Sequence, residues 1–424
     1  MKKLFYFAAV AAAVLTSCAK THDTHQYTGA GDAVSFSVYA GKAATKAVSA
    51  TDPYGNIVTA TLESSTSGFG VFGYYTGNAN YASGSFSANF MYNQQVTCDG
   101  TKWEYHPVKY WPNEHGNQAV STDTDKLTFM AYAPWVEINT LNTDTPSTVN
   151  DGSDNDATEG IISMTGNAVE GDAKLSFVVP SASDEQIDLL YGVLKTASTN
   201  VQGGTDGVAN GAIKDLTKQE CDGKVSILFK HALAKVQLDV LDVVDKVDPT
   251  SSVNPSADGT KVFVNSINIL GSGLGTSGKL NLYDGTWSNT AGTSSYSVSP
   301  LPACIYQAAA PANKTALDAI SETGVVEGGL AAADKPAIMF VPAGTITGIE
   351  IVYYVCTADT NLATGVSVVE NHITKTFSPS AITVAAGTQY NITIRLGLTS
   401  IDFTVDVADW GTEAHAIDLP QNVA

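Results

Sequence analysis

The segment Val34-Ser35-Phe36-Ser37-Val38-Tyr39-Ala40 alternates apolar and polar side chains along its whole length. The same period of two runs through residues 401–407, near the other end of the chain. Because successive side chains of a strand point to opposite faces, the alternation predicts half-buried β-strands. Further strand-like runs cover residues 69–75, 103–110, 127–132, 175–179, 187–194, 225–240, 262–270, 337–341, 349–356 and 390–398.

Turn signals separate these runs. Asp-Gly pairs stand at residues 99–100, 222–223 and 284–285, and they are typical of hairpin turns. Long amphipathic helices are not expected, and only residues 314–320 favour a short helical turn. Short strands at this spacing predict an all-β protein built from antiparallel β-sandwiches.

The length of 424 residues suggests more than one domain. Residues 197–211 are polar and Gly-rich, and a strong strand pattern restarts at Lys224. We therefore predict an N-terminal sandwich over residues 28–205 and a C-terminal sandwich over residues 221–424. A weak internal echo between the segments that begin at Asp125 and Asp334 is consistent with two similar sandwiches in series.

The composition excludes two classes of protein. Hydrophobic residues make up 44% of the chain and charged residues 15%, which is too apolar for a disordered acidic protein. Acidic residues number 42 against 22 basic ones, and the formal net charge is −20. Such a surface repels phosphate backbones, so we expect no nucleic-acid partner.

The first 17 residues have the pattern of a signal peptide. Lys2 and Lys3 precede an apolar stretch over residues 4–15 that is too short to span a bilayer, and Leu15-Thr16-Ser17-Cys18 resembles a bacterial lipobox. We expect cleavage before Cys18 and acylation of its thiol, which would anchor the precursor to a membrane. An ordinary secretory signal with a chance cysteine is the alternative. Ala19, by resemblance to other lipoproteins, favours the outer membrane.

The remaining cysteines do not suggest a metal site. Cys98, Cys221, Cys304 and Cys356 have no zinc-like spacing, and three disulfide pairings stay open. Scattered thiols are the simpler interpretation, because four cysteines are too few to form a disulfide scaffold in a chain of this length.

A search for catalytic motifs finds none, so we expect no enzyme activity, cofactor or metal. The acidic loop of Asp151, Asp154, Asp156 and Glu159 lacks the spacing of an EF-hand. Residues 271–275, Gly-Ser-Gly-Leu-Gly, favour a turn over a phosphate cradle because no helix follows. His231 lies in an apolar run and is expected to be a packed core residue. The other histidines considered, His106, His115, His372 and His415, are scattered among different segments.

Three segments carry a resemblance to a known family. They are Trp103-Glu104-Tyr105-His106-Pro107-Val108-Lys109-Tyr110-Trp111-Pro112, then Asp125-Lys126-Leu127-Thr128-Phe129-Met130-Ala131-Tyr132-Ala133-Pro134, and above all Phe229-Lys230-His231-Ala232-Leu233-Ala234-Lys235-Val236. With the lipobox, these segments resemble the fimbrillins of type V pili, found in Bacteroidia. The resemblance implies two tandem transthyretin-like β-sandwich domains after a lipoprotein signal peptide.

The resemblance also implies a mode of assembly. In such pilins a trypsin-like protease removes an N-terminal segment that includes the first strand, and a strand from another subunit fills the emptied groove. Here the propeptide would span residues 18–46, with cleavage between Lys46 and Ala47, where Lys replaces the usual Arg. Val34, Phe36 and Val38 would belong to the displaced strand. The candidate donor strand is the tail over residues 413–424, in which Ile417 and Leu419 share one face.

The function expected from this resemblance is that of a pilus subunit that serves adhesion. A stalk subunit is preferred, and a tip adhesin or an anchor of the same family are the alternatives. The implied partners are other pilin subunits, the outer membrane before processing, the protease, and a host or bacterial surface ligand. From another class, a surface glycan-binding lipoprotein would stack sugars on exposed aromatic rings. The candidates for that role are Trp103, Trp111, Trp135, Trp287 and Tyr74 or Tyr75.

Overall fold

A computed structural model describes residues 33–40, 59–82, 85–112, 114–115, 125–137, 159–195, 211–218, 220–221, 223–242, 260–301, 310–318, 335–376, 381–396 and 401–409. The signal peptide, the acidic residues at 151–156 and the residues Cys18, Lys46, Ala47, Cys304, His415, Ile417 and Leu419 lie outside this part of the chain.

Strands make up most of the described residues, which confirms the predicted all-β class. They are β1 (Ser35–Ala40), β2 (Phe69–Tyr75), β3 (Met91–Cys98), β4 (Trp103–Glu104), β5 (Leu127–Ala133), β6 (Gly160–Met164), β7 (Lys174–Val178), β8 (Leu190–Leu194), β9 (Ile213–Leu216), β10 (Lys224–His231), β11 (Ala234–Asp242), β12 (Thr260–Asn281), β13 (Trp287–Ser297), β14 (Ala337–Phe340), β15 (Thr345–Ala358), β16 (Val366–Thr376), β17 (Ile382–Thr383), β18 (Thr388–Leu396) and β19 (Ile401–Asp409).

The helices in the described ranges are short. They are α1 (Thr59–Ser64) and α2 (Lys314–Asp318), and α2 confirms the short helical turn predicted there. Within the described residues, neither helix has the length and apolar character needed to cross a membrane.

The first sheet is curled and holds the N-terminal strand. Its order is β1-β10-β8-β5-β2-β3-β4, with β9 paired to β5. β1 runs parallel to β10, and the other pairs are antiparallel. The segment after β4 returns to the free side of β1, where Ala33 pairs with Tyr110 and the Val34 amide donates to the Lys109 carbonyl at 2.9 Å. The two residues that precede β1 therefore have backbone partners on the side opposite β10.

Two further sheets form a sandwich. One has the order β16-β15-β12-β7-β6, with β13 on β12 and β17 on β15, and the other has the order β14-β11-β18-β19. Apolar side chains of both sheets fill the space between them, among them Val236 and Ile392 from one side and Ile267 and Ile351 from the other. The period of two in these strands places every second residue in that core.

The strands on either side of the predicted domain boundary do not separate into different sheets. β10 follows residues 205–221 in the chain but joins the first sheet, beside β1 and β8. β6 and β7 precede residues 205–221 but join the sheet of β12. The run over residues 225–240, predicted as one strand, breaks after His231 into β10 and β11, which lie in different sheets. Alternation identifies strands but does not specify their partners. The division into domains over residues 28–205 and 221–424 stays a prediction.

The central strands of the first sheet are buried on both faces. One face of β2 and β5 lines the core that also holds β1, whereas Phe72, Tyr74 and Met130 on the opposite face pack with Leu175 of β7 and Leu280 of β12. This double burial explains why residues 127–133 are continuously apolar or buried rather than alternating.

The predicted strand over residues 103–110 is wrong in its extent. Only Trp103 and Glu104 form a strand, and the chain then passes through His106 and Pro107 before Tyr110 makes its isolated bridge to Ala33. Proline has no backbone N–H to donate, so a regular ladder is not continued through this segment.

Candidate functional site at the first strand

β1 presents one fully apolar face. The side chains of Val34, Phe36, Val38 and Ala40 are 2%, 3%, 6% and 1% exposed, and all four belong to the core of the first sheet. The structure therefore brings together Val34, Phe36 and Val38, the residues predicted for the displaced strand. Their role in displacement stays a prediction.

Phe36 is the centre of an aromatic cluster. Its ring meets those of Phe69, Tyr105 and Phe129 with centroid distances of 6.0, 5.7 and 5.8 Å, all in edge-on geometry. Edge-on pairs place the positive rim of one ring against the negative face of another, which stabilises them beyond the area they bury. Removal of β1 would take away the shared partner of all three rings.

The backbone of β1 is paired along one edge, and the residues just before it are held on the other side. Six residue pairs connect it with β10, from Ser35 opposite Lys224 to Ala40 opposite Phe229. On the other side the Tyr105 hydroxyl donates to the Val34 carbonyl at 2.8 Å. The sequence did not identify Tyr105 as a contact of β1, although it lies in one of the segments that carry the family resemblance.

The outward face of β1 makes polar contacts. The Ser35 hydroxyl donates to the Gly223 carbonyl at 3.2 Å, and the Ser37 and Ser226 hydroxyls lie 2.9 Å apart. The ammonium group of Lys195 lies 3.4 Å from the centroid of the Tyr39 ring, which is a cation–π contact. An apolar inner face, an edge paired with β10 and a polar outer face define a groove that fits one extended strand.

Residues 56–410 match the family model described as fimbrillin-like. The chain belongs to the fimbrillin-like family. That range includes the sheet partner of β1 and the described strands from β2 to β19, whereas β1 itself precedes it.

Individual relatives agree with the family match. The fimbrillin-like chain is 28% identical over 228 residues to the fimbrium subunit Fim1C of Phocaeicola vulgatus, a match that covers 51% of this chain and 47% of that protein. It thus spans about half the length of this curated relative. A crystal structure of a fimbrial protein from Bacteroides vulgatus has the same fold, with a TM-score of 0.57 and 20% identity, over 89% of this chain and 99% of the other.

The aromatic residues proposed as a sugar platform are not gathered on one face of the fimbrillin-like chain. Trp103 and Trp111 pack with the core that holds β1, whereas Tyr74, Trp135 and Trp287 pack with the cluster around β6 and β7. The indole N–H groups of Trp111, Trp135 and Trp287 donate to backbone carbonyls at 3.2, 3.1 and 2.9 Å. The Tyr75 hydroxyl donates to Asp125 at 2.6 Å, and burial and this hydrogen bond raise the pKa of Tyr75.

Three of the described histidines each lie beside a carboxylate. Nδ1 of the buried His231 lies 2.6 Å from a carboxylate oxygen of the buried Asp188, which confirms the prediction of a packed core histidine. His115 lies 2.8 Å from Asp125, and His372 lies 2.8 Å from Glu350. Among the residues that the structure describes, no three His, Cys, Asp or Glu side chains form a group suited to a metal ion.

The glycine motif at residues 271–275 lies inside β12, so the predicted turn is wrong. Gly275 pairs with Val341, and a Cβ atom at this position would lie 2.3 Å from the Val341 carbonyl oxygen. The glycine therefore permits a close approach of two backbones. A phosphate cradle requires free amides at a helix start, which this strand does not provide.

The described cysteines are not joined to one another. Cys98, Cys221 and Cys356 form no disulfide in the part of the chain that the structure covers. Burial raises the pKa of both Cys221 and Cys356 to about 11, so both are thiols at neutral pH.

Proposed function

We propose that this fimbrillin-like chain is a structural subunit of a cell-surface pilus, in which the first strand of each subunit is replaced by a strand of another. The observation that carries this proposal is the position of β1, which lies at the end of the first sheet and yet contributes Val34, Phe36, Val38 and Ala40 to its core. The fimbrial names of the two relatives described above support the role as a pilus subunit.

The energetics favour exchange over simple loss of the strand. Val34, Phe36 and Val38 each contribute about 1.5–3 kcal/mol by burial, so an empty groove would be unstable. Withdrawal of β1 would also leave the backbone groups of β10 and of the segment at residues 109–110 without partners. An extended segment of a second chain restores both contributions at once. Because donor and acceptor surfaces differ, the joint does not close on itself and a filament grows.

The steps before exchange are proposed from the sequence. The precursor is acylated at Cys18 and exported to the outer membrane, and a trypsin-like protease cuts between Lys46 and Ala47. Loss of residues 1–46 leaves 378 residues and removes five Lys and two Asp, so the net charge falls from −20 to −23. The tail over residues 413–424 then serves as the donor, with Ile417 and Leu419 in the groove. We propose no catalytic activity for the chain.

Within the pilus, we propose the stalk position. A stalk subunit needs both a removable first strand and a donor strand, and this chain has candidates for both. A tip adhesin would lack the donor, and an anchor would keep its lipid and escape cleavage. The stalk subunit would bind further pilin subunits along the fibre, and adhesion to a host or bacterial surface is the expected purpose. A glycan-binding lipoprotein is less well supported, since its candidate aromatic residues pack in two separate clusters.

Assembly can be tested with purified protein. The full chain without its signal peptide and acylated cysteine is treated with trypsin at low dose, and the products are separated by size-exclusion chromatography and by electrophoresis without boiling. We expect a ladder of polymers whose subunits begin at Ala47, and no ladder from the Lys46→Gln variant. A wild-type chain that loses its first 46 residues and remains monomeric at high concentration would overturn the proposal.

A further inference from the structure

We infer that the outer face of the β1 groove selects an acidic donor strand, and that Lys195, Lys224 and Ser226 together bind the carboxylate of Asp418 from a second copy of the chain. This inference rests on the strand exchange proposed above. It adds a reason why the groove would accept one particular strand.

Positive charge is concentrated along β1. Lys224 lies opposite Ser35 in the strand pairing, and the ammonium group of Lys195 covers the Tyr39 ring. These two lysines border one six-residue strand in a chain that has 42 acidic and 22 basic residues. These positive charges therefore lie together although the chain as a whole is negatively charged. A groove for a neutral strand would not require them.

The lysines bracket a single position of the strand. Ser35, Ser37 and Tyr39 share the outward face, with Lys224 opposite the first of them and Lys195 over the last. With a rise of about 3.3 Å per residue, Ser37 lies about 7 Å along the strand from each of the other two. The Ser226 hydroxyl is already within hydrogen-bond distance of the Ser37 hydroxyl, at 2.9 Å. An acceptor at the Ser37 position would thus have one hydroxyl beside it and an ammonium group towards each end.

Departure of β1 removes contacts that an acceptor on the incoming strand could replace. Lys195 then loses the Tyr39 ring, and Ser226 loses the Ser37 hydroxyl. An ammonium group has three donors and no acceptor, and a carboxylate is the side chain that accepts several hydrogen bonds and carries the opposite charge. A donor strand with a carboxylate at this position would replace both lost contacts.

The candidate donor tail supplies that carboxylate in a fixed place. Asp418 stands between Ile417 and Leu419, and residues 413–424 contain a second acid, Glu413, but no Lys or Arg. When Ile417 and Leu419 take the positions of Phe36 and Val38, Asp418 takes the position of Ser37. Entry in the opposite direction exchanges Ile417 and Leu419 but leaves Asp418 where it is. The assignment therefore does not depend on the direction of the donor.

The rate of polymer growth after trypsin treatment tests this inference, with the full-length chain as both donor and acceptor. An exposed charge pair contributes up to about 1 kcal/mol, so we expect Asp418→Asn to grow about five-fold more slowly than the wild type at low salt. The difference should disappear near 1 M salt, where the Debye length is about 3 Å. Glu370→Gln, which removes an exposed carboxylate on β16, is the matched control and should grow at the wild-type rate.

A charge swap gives a second, independent readout. Lys224 is exposed, so Lys224→Asp should fold normally, with an unchanged thermal midpoint. Lys224→Asp and Asp418→Lys should each slow assembly, and the double variant should recover a substantial part of the rate. If the wild type assembles and Asp418→Asn matches it at every salt concentration, selection by Asp418 is overturned while strand exchange stands. If the wild type itself fails to assemble, strand exchange is overturned and the selection with it.

Discussion

Phe36 of β1 lies edge-on against Phe129 of β5, with ring centroids 5.8 Å apart and planes at 87°. This contact joins the first strand to the middle of the sheet, because β5 is the third strand along from β1. The strand that we propose is exchanged therefore contributes to the core. A replacing strand must place an apolar side chain where Phe36 lies.

Truncation of Phe36 should reveal how much the first strand stabilises the chain. Phe36→Ala leaves a cavity among Phe69, Tyr105 and Phe129, and such changes cost about 3–5 kcal/mol. Urea denaturation followed by tryptophan fluorescence should show a clearly lower midpoint. Ser37→Ala on the outward face is the matched control and should cost about 1 kcal/mol or less. Equal losses in the two variants would contradict the assignment of the inner face.

A charged residue at position 36 should also impair secretion or assembly. Phe36→Asp places a carboxylate in the apolar groove, where an unpaired charge is strongly disfavoured. We expect the variant to be degraded before export or to fail to polymerise, as measured by immunoblots of shear-released surface material. Normal secretion and normal polymer length in this variant would show that β1 is wrongly assigned as the groove strand.

The buried pair of His231 and Asp188 should be far more sensitive than a surface pair. Both side chains are almost fully inaccessible, so removal of one partner leaves a buried polar group behind. Asp188→Ala should cost about 1–3 kcal/mol in the free energy of unfolding. Lys102→Ala removes the exposed partner of Glu104 and should leave the denaturation midpoint nearly unchanged, because water screens such a pair. Similar effects of the two substitutions on the denaturation midpoint would contradict the burial of the pair.

The thiols of Cys221 and Cys356 should react slowly in the folded chain. Burial raises the pKa of each to about 11, and the thiolate is the reactive form. Alkylation mapped by mass spectrometry should therefore be slow at pH 7 and rise nearly ten-fold per pH unit up to pH 10, provided that the fold is intact. Denaturation in urea should remove the protection of both residues, and fast alkylation of either in the native chain would contradict the prediction.

Much of the fold follows from the period of two. The alternation predicted β1 and β19, and the runs at residues 69–75 and 127–132 correspond closely to β2 and β5. The partners of these strands did not follow, because a half-buried strand has the same pattern whichever neighbour it pairs with. The parallel pairing of β1 with β10, almost two hundred residues away, is the clearest example.

The candidate site was likewise predicted in part. The inward residues Val34, Phe36 and Val38 follow from alternation, and the structure places them together in one core. The outward partners Lys195 and Ser226 were missed, because each lies on a distant strand and neither carries a local motif. The glycines at residues 271–275 were misread as a turn because a close approach of two backbones selects the same residue as a turn does.

The most direct test of the account is the N-terminus of the chain in polymer sheared from the cell surface, determined by mass spectrometry. Replacement of β1 between subunits requires its removal, so the account predicts that the high-molecular-weight fraction begins at Ala47 and lacks residues 33–40. A chain that carries an acylated Cys18 and an intact first strand in all of the surface material would contradict it.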